Sequence, residues 1–85
     1  MTMPELSRRE VALLRATDAD RVELTGSEEP DVRVDALPFC DPVTARGLVH
    51  AGLIRPVVPV APGQWAAACL TEAGAVALGS ALLVA

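Results

Sequence analysis

Apolar and polar residues repeat along this chain with two different periods, and each period predicts a different kind of element. Near the N-terminus, apolar residues recur every three or four positions, as they do in a helix with one buried face. Residues 22–25 and 32–34 alternate instead, which is typical of strands. Residues 65–85 are apolar almost throughout, with Glu72 as their only charge. The pattern therefore predicts a helix, one or two strands and a final helix that is apolar nearly all round.

Local signals mark the start of the first helix. Ser7 and Glu10 have the spacing of a capping box, in which each side chain accepts a hydrogen bond from the other residue's backbone N–H. The inner face of this helix is expected to hold Val11, Leu13, Leu14 and Thr17. We expect the helix to fade near residues 18–20. Residues 1–5 are expected to form a flexible leader, and residues 6–85 a single domain.

Two interpretations remain open for residues 21–35. The two alternating stretches flank a turn-rich acidic segment at residues 26–31, which we interpret as a solvated surface because charge runs usually are. The stretches form either a small hairpin or one strand followed by a loop. A second helix is expected at residues 35–40, although Pro38 limits it to about one turn.

The helix predicted at residues 41–51 has clear boundary signals at both ends. Asp41 is a favourable N-cap, Pro42 occupies the first helical position, and Gly52 suits the left-handed residue that follows a helix. At 100° per residue, an inner face contains Ala45, Leu48 and Val49. The opposite face is available to a partner and contains Val43, Arg46, Gly47 and His50.

Residues 53–70 predict a β-hairpin. Pro56 and Pro59 confine its first strand to a sheet edge or interrupt it, and the Ala-Pro-Gly-Gln sequence at 61–64 suits a type II turn. Thr71 is a suitable N-cap for a final helix at residues 71–84. A helix so apolar needs a partner, so we predict a homodimer. Its interface would contain Val76, Leu78, Leu82 and Leu83.

Composition narrows the classes of function. The chain has 85 residues and a net charge of −4, and a chain of this size buries only about 60% of its unfolded surface. Residues 1–40 hold five arginines and nine acids, while residues 41–85 hold two of each. Proteins that bind polyanions non-specifically usually carry a basic excess. The charge balance therefore counts against a non-specific nucleic-acid binder.

The sequence offers no catalytic or metal-binding set. It contains no Tyr or Lys and only one His, and Cys40 and Cys69 do not form a CxxC motif. The two cysteines are interpreted as small buried residues in a reducing cytosol, with a disulfide between them as the alternative. We therefore expect no enzymatic activity, no metal and no cofactor. The C-terminal apolar run is too short for a membrane span, and a cytoplasmic location is expected.

Three segments resemble bacterial winged helix-turn-helix transcriptional regulators of the MarR type. These segments are residues 6–14 (LSRREVALL), 48–55 (LVHAGLIR) and 70–78 (LTEAGAVAL). They look like the opening helix, the end of the recognition helix running into the wing, and the last wing strand turning into the next helix. The resemblance implies a small α+β winged helix-turn-helix domain with three to four helices and a β-hairpin wing.

The resemblance also implies a role in transcription regulation, with a recognition helix in the major groove of DNA and a wing along the backbone. Carried over by position, the helix would present Thr44, Arg46, Gly47 and His50 to the groove, and Arg55 would face phosphates. Arg8 and Arg9 are further candidates for backbone contacts. The wing tip is uncharged and the second helix is short, so a second hypothesis is kept. It is a winged-helix protein–protein interaction module that does not bind DNA.

Overall fold

A computed structural model describes residues 6–84 as a small α+β structure, as the hydrophobic pattern predicts. The expected leader at residues 1–5 lies outside this range. The described elements follow one another as α1 (Arg8–Asp18), β1 (Val22–Thr25), β2 (Val32–Val34), β3 (Leu37–Pro38), α2 (Pro42–His50), β4 (Ile54–Pro56), β5 (Trp65–Leu70) and α3 (Glu72–Val84). The five strands form one antiparallel sheet in the order β3-β2-β1-β5-β4.

Helix α1 lies at the centre of the packing. It contacts α2, α3, β1 and β5, and its Leu13 and Leu14 are almost completely buried. The core around them is built from aliphatic side chains, as a chain with one Phe and one Trp requires. Its other buried members include Val22, Leu24, Ala45, Leu48, Ile54, Ala68 and Leu78.

The helix boundaries follow the local signals in the sequence. Ser7 and Glu10 form the predicted capping box, with hydrogen bonds of 3.1 and 2.8 Å. Asp41 caps α2, since its carboxylate accepts from the N–H of Thr44 at 3.1 Å. Gly52 follows α2 with a φ of 76°, so the chain turns sharply there into β4.

The structure corrects the prediction of a short helix at residues 35–40. Asp35 and Ala36 both have positive φ angles, 52° and 65°, which is the geometry of a two-residue hairpin turn. The Arg21 guanidinium pairs with the Asp35 carboxylate at 2.6 Å, and the N–H of Asp35 donates to the carbonyl of Arg21. This pairing holds the turn, so Leu37 and Pro38 form strand β3 beside β2. Of the two interpretations of residues 21–35, the hairpin is confirmed.

The predicted hairpin at residues 53–70 is present, but its first strand is short. Strand β4 ends at Pro56, and residues 57–64 form a loop that contains the predicted turn at 61–64. In this turn the N–H of Gln64 donates to the carbonyl of Ala61 at 3.0 Å. Strand β5 pairs with β4 on one side and with β1 on the other, so it joins the hairpin to the rest of the sheet.

The start of helix α3 packs closely against the backbone of the two residues, Gly52 and Leu53, that follow α2. The Thr71 hydroxyl donates to the carbonyl of Gly52 and accepts from the N–H of Gly74. Gly74 lies so close to Leu53 that a Cβ atom would overlap the Leu53 carbonyl group. A residue without a side chain is therefore required at this point. None of the described helices is long and apolar enough to cross a membrane.

Gly74→Ala is predicted to destabilise the fold by about 1–3 kcal/mol, because the backbone of Leu53 must move to admit the new methyl group. Gly79→Ala is the matched control, since a Cβ there meets nothing within 4 Å. It should stabilise α3 by about 0.5–1 kcal/mol. Urea unfolding of both variants measures the difference. Equal stabilities would contradict the close packing of α3 on Leu53.

Candidate functional site

The outward face of α2 is the surface that the sequence predicted to be available to a partner. Val43, Gly47 and His50 are exposed, and Thr44 and Arg46 are half-buried. Gly47 borders open space. The face is therefore accessible in part, and its chemistry depends on what lies beside Thr44, Arg46 and His50.

The acidic segment at residues 26–31, here called the acidic loop, lies against this face. The Arg46 Nε donates to the carbonyl of Pro30, and its Nη2 donates to Asp31 Oδ1, both at 3.2 Å. The Glu29 carboxylate lies 3.7 Å from the same Nε. The His50 Nε2 is 2.8 Å from the carbonyl oxygen of Glu28. Both basic side chains of the face are therefore bound to the chain itself.

The acidic loop is also fastened at its base. The Asp31 N–H donates to the Thr25 hydroxyl at 2.8 Å, and the Thr25 N–H donates to the Asp31 carbonyl at 3.0 Å. Thr25 and Pro30 are buried. On the other side, the backbone of Val60 lies directly against Gly26, leaving no room for a side chain there. The position of the loop over α2 is thus set by contacts at both ends and in the middle.

The N-terminal end of α2 is organised by the Asp41 carboxylate. It accepts from the Thr44 hydroxyl at 2.6 Å and from Arg9 Nη1 at 3.1 Å, as well as from the Thr44 N–H. These interactions hold the pKa of Asp41 below its ordinary value, with the Thr44 hydroxyl as the largest cause, followed by the Thr44 N–H and Arg9. Thr44 and Arg9 are therefore engaged within the fold.

Charge on and beside α2 is predominantly negative. Two arginines and one histidine, Arg9, Arg46 and His50, lie beside four acidic residues: Glu28, Glu29, Asp31 and Asp41. DNA binding depends on cationic side chains that neutralise several phosphates. Phosphates approaching this face would instead meet acidic side chains, and they would compete with Asp31 and Glu29 for Arg46.

The remaining predicted DNA contacts lie on other elements. Arg8 lines a groove between α1 and α3. Arg55 lies on the edge strand β4, exposed, with one long 3.5 Å hydrogen bond to the carbonyl of Pro56. Arg9 pairs at the start of α2, and Arg46 pairs with the acidic loop. Arg9 and Arg46 are thus paired with carboxylates, whereas Arg8 and Arg55 lie in the α1–α3 groove and on the sheet edge.

An open, shallow groove lies between α1 and α3 in the described part of the chain. Its volume is about 300 Å³. It is lined by Leu6, Arg8, Val11, Ala12, Arg15, Ala81 and Leu82. Sequence reasoning did not find it, because it depends on the packing of two helices that are far apart in the chain.

The predicted dimer residues separate into two groups. Val76, Leu82 and Leu83 are exposed, with Leu83 88% accessible. Leu78 is only 6% exposed and belongs to the core. The structure therefore corrects the assignment of Leu78, which packs inside its own chain and is not available to a partner.

The residue types that ligate metals, including the two cysteines, are present in the described range. No group of three His, Cys, Asp or Glu side chains between residues 6 and 84 is arranged to hold a metal ion. Cys40 and Cys69 are free thiols, and Cys40 is exposed. This corrects the expectation that both cysteines are either buried or joined in a disulfide.

Comparisons of the chain with protein-family models, curated proteins and solved structures gave no significant match. Inferences about its function therefore rest on the geometry of the α2 face and of the α1–α3 groove.

Arg46→Ala is predicted to lower the free energy of unfolding by about 1 kcal/mol, because it removes a hydrogen bond to a backbone carbonyl together with partly exposed ion pairs. Arg55→Ala should change it by less than about 0.5 kcal/mol, since that arginine is exposed on the edge strand β4. Urea unfolding compares the two. Equal effects would show that Arg46 does not fasten the acidic loop.

Asp41→Asn is predicted to reduce the loss of stability in acid. The pKa of Asp41 is lower in the folded chain than in the unfolded chain, so its stabilising effect is complete above a pH of about 3.8 and declines as the pH falls through the folded-state pKa. Asparagine still caps the helix but does not titrate.

The measurement is the urea midpoint between pH 7 and pH 2. Asp35 and Glu23, whose pKa values are also lowered by their arginine partners, will keep part of the acid dependence in the variant. Asp18→Asn is the control, because that exposed carboxylate has no cation within 4.0 Å in the described chain. A pH dependence unchanged by Asp41→Asn would contradict the role of this carboxylate.

Proposed function

We propose that this chain is a winged-helix type of protein–protein interaction module and that it does not read DNA through α2. The observation that carries the proposal is the occupation of Arg46 and His50 by the acidic loop. These are the only two basic side chains on the face that a DNA reader of this type would place in the major groove.

The energetics of the face support this proposal. A phosphate that drew Arg46 away from the acidic loop would break its contact with Asp31 and leave the carbonyl of Pro30, a buried residue, without this donor. An unsatisfied buried acceptor costs about 1–3 kcal/mol. Surface ion pairs contribute only about 0–1 kcal/mol each, so a single new phosphate contact would not offset that loss.

Exposed apolar side chains also favour a protein partner. Val43 on α2 is 79% exposed, and Leu83 on α3 is 88% exposed. DNA-contacting surfaces are polar and strongly positive, whereas large exposed apolar side chains are characteristic of surfaces that bind other proteins. The composition of the exposed surface and the charge on α2 thus point in the same direction.

DNA-binding transcription regulation remains the second candidate, and one observation favours it. Strands β1, β5 and β4 are adjacent in that order, and α2 precedes the β4–β5 hairpin. This arrangement agrees with the winged-helix architecture that the resemblance implies. A fold does not determine a function, so the choice between the two candidates depends on binding.

The discriminating experiment is titration of a fluorescent mixed-sequence DNA duplex with the full chain. Our proposal predicts binding no tighter than about 10⁻⁴ M at low salt, because the α2 face offers no free cation. Arg46→Ala, as the matched variant, should bind the duplex no differently from the unmodified chain.

A tighter complex would contradict the proposal if its affinity falls steeply between about 50 and about 200 mM salt and is lost in Arg46→Ala. That result would establish the second candidate and would mean that the acidic loop leaves α2 when DNA binds.

A further inference from the structure

The α1–α3 groove has a regular arrangement of side chains along one wall. Arg8, Ala12 and Arg15 are spaced by four and then three residues, so they form one stripe along α1. The opposite wall is formed by Ala81 and Leu82 of α3. The two alanines leave space between the helices, and a groove of about 300 Å³ has the volume of a few side chains rather than of a large ligand.

Both arginines of this groove lack an acidic partner in the described structure. Arg9, Arg21, Arg33 and Arg46 each have a carboxylate within 4.0 Å, whereas Arg8 and Arg15 have none among residues 6–84. Both are exposed. In a chain with a net charge of −4, two cations two turns apart on one stripe of α1, with no carboxylate partner among residues 6–84, are a distinct local feature.

The position of Arg8 is unfavourable for α1 itself. It occupies the first helical position, where the helix dipole favours an acidic residue and disfavours a cation. The helix therefore gains nothing from this charge locally. An acidic group from outside would remove the conflict, since it would pair with Arg8 and also interact favourably with the N-terminal end of α1.

The spacing of the two arginines specifies the shape of such a partner. Seven helical residues separate Arg8 from Arg15 by about 10 Å along the axis of α1. A second helix lying in the groove places its residues i and i+7 at the same separation. Apolar residues at i+3 and i+4 would then contact the apolar part of the groove, at Val11 and Leu82, in the helix-in-groove mode of recognition.

We infer that the α1–α3 groove binds an amphipathic helix of a partner protein that carries two acidic residues seven positions apart beside an apolar stripe. This inference rests on the proposed function, because it names the chemistry of the partner. A second copy of the chain does not fit, since none of the described helices has acids seven positions apart. Two such grooves facing each other would also bring arginine against arginine.

The test uses the full chain and two synthetic Ala-based helical peptides. One has Glu at positions i and i+7 and Leu at i+3 and i+4, and the other is identical except for Lys at i and i+7. Fluorescence anisotropy should show saturable binding of the Glu peptide and none of the Lys peptide. Arg8→Ala with Arg15→Ala should weaken binding about tenfold, as expected for two exposed ion pairs. Arg55→Ala should leave it unchanged.

A charge-reversed variant distinguishes a specific loss of binding from a loss of folding. The variant with Arg8→Glu and Arg15→Glu should lose the Glu peptide and bind the Lys peptide, which a merely destabilised chain would not do. Failure of the Glu peptide to bind, or equal binding of both peptides, would overturn the inference.

Two other outcomes would also overturn it. One is binding to phosphatidylserine-containing vesicles through Arg8 and Arg15 without binding of the Glu peptide, which would assign the groove to a membrane surface. The other is self-association that Arg8→Ala with Arg15→Ala abolishes. Neither result would support DNA binding by α2, because the duplex titration tests DNA binding separately.

Discussion

The attachment of the acidic loop to Arg46 is the interaction on which the properties of the α2 face depend. The loop joins β1 to β2, and its contacts with Arg46 hold it against α2, whose Ala45 and Leu48 are buried in the core. Thr25 closes the loop at its base, and His50 holds its tip near Glu28. A segment that looks like an ordinary charged turn in the sequence therefore binds two side chains of the helix that carries the candidate site.

The α2 face and the α1–α3 groove therefore differ in the charge that they present to a partner. The α2 face is screened by carboxylates, and its cations are satisfied internally. The α1–α3 groove has the opposite character, because Arg8 and Arg15 are open to solvent beside apolar side chains. Electrostatic complementarity contributes strongly to the choice of partner. The side of the domain expected to attract an acidic partner is thus the groove rather than the helix that a DNA reader would use.

Features decided by neighbouring residues could be predicted from the sequence, and features decided by distant contacts could not. The Ser7 capping box and the Asp41 cap were predictable because each depends on residues within one turn. The strand at Leu37 was not, since it depends on the unusual turn that Arg21 stabilises from 14 residues away. The partners of Arg46 lie 15 or more residues away along the chain. The sequence also did not indicate which face of α3 is buried, because an almost uniformly apolar helix gives no pattern to separate buried Leu78 from exposed Leu83.

Hydrogen exchange of the arginine side chains measures most directly whether the acidic loop occupies Arg46 in solution. We expect the Nε–H of Arg46, which donates to the carbonyl of Pro30, to exchange with solvent markedly more slowly than the Nε–H of exposed Arg55 in the same NMR sample. Exchange of Arg46 as fast as that of Arg55 would contradict it, because the loop would then be detached and the α2 face free to bind a partner.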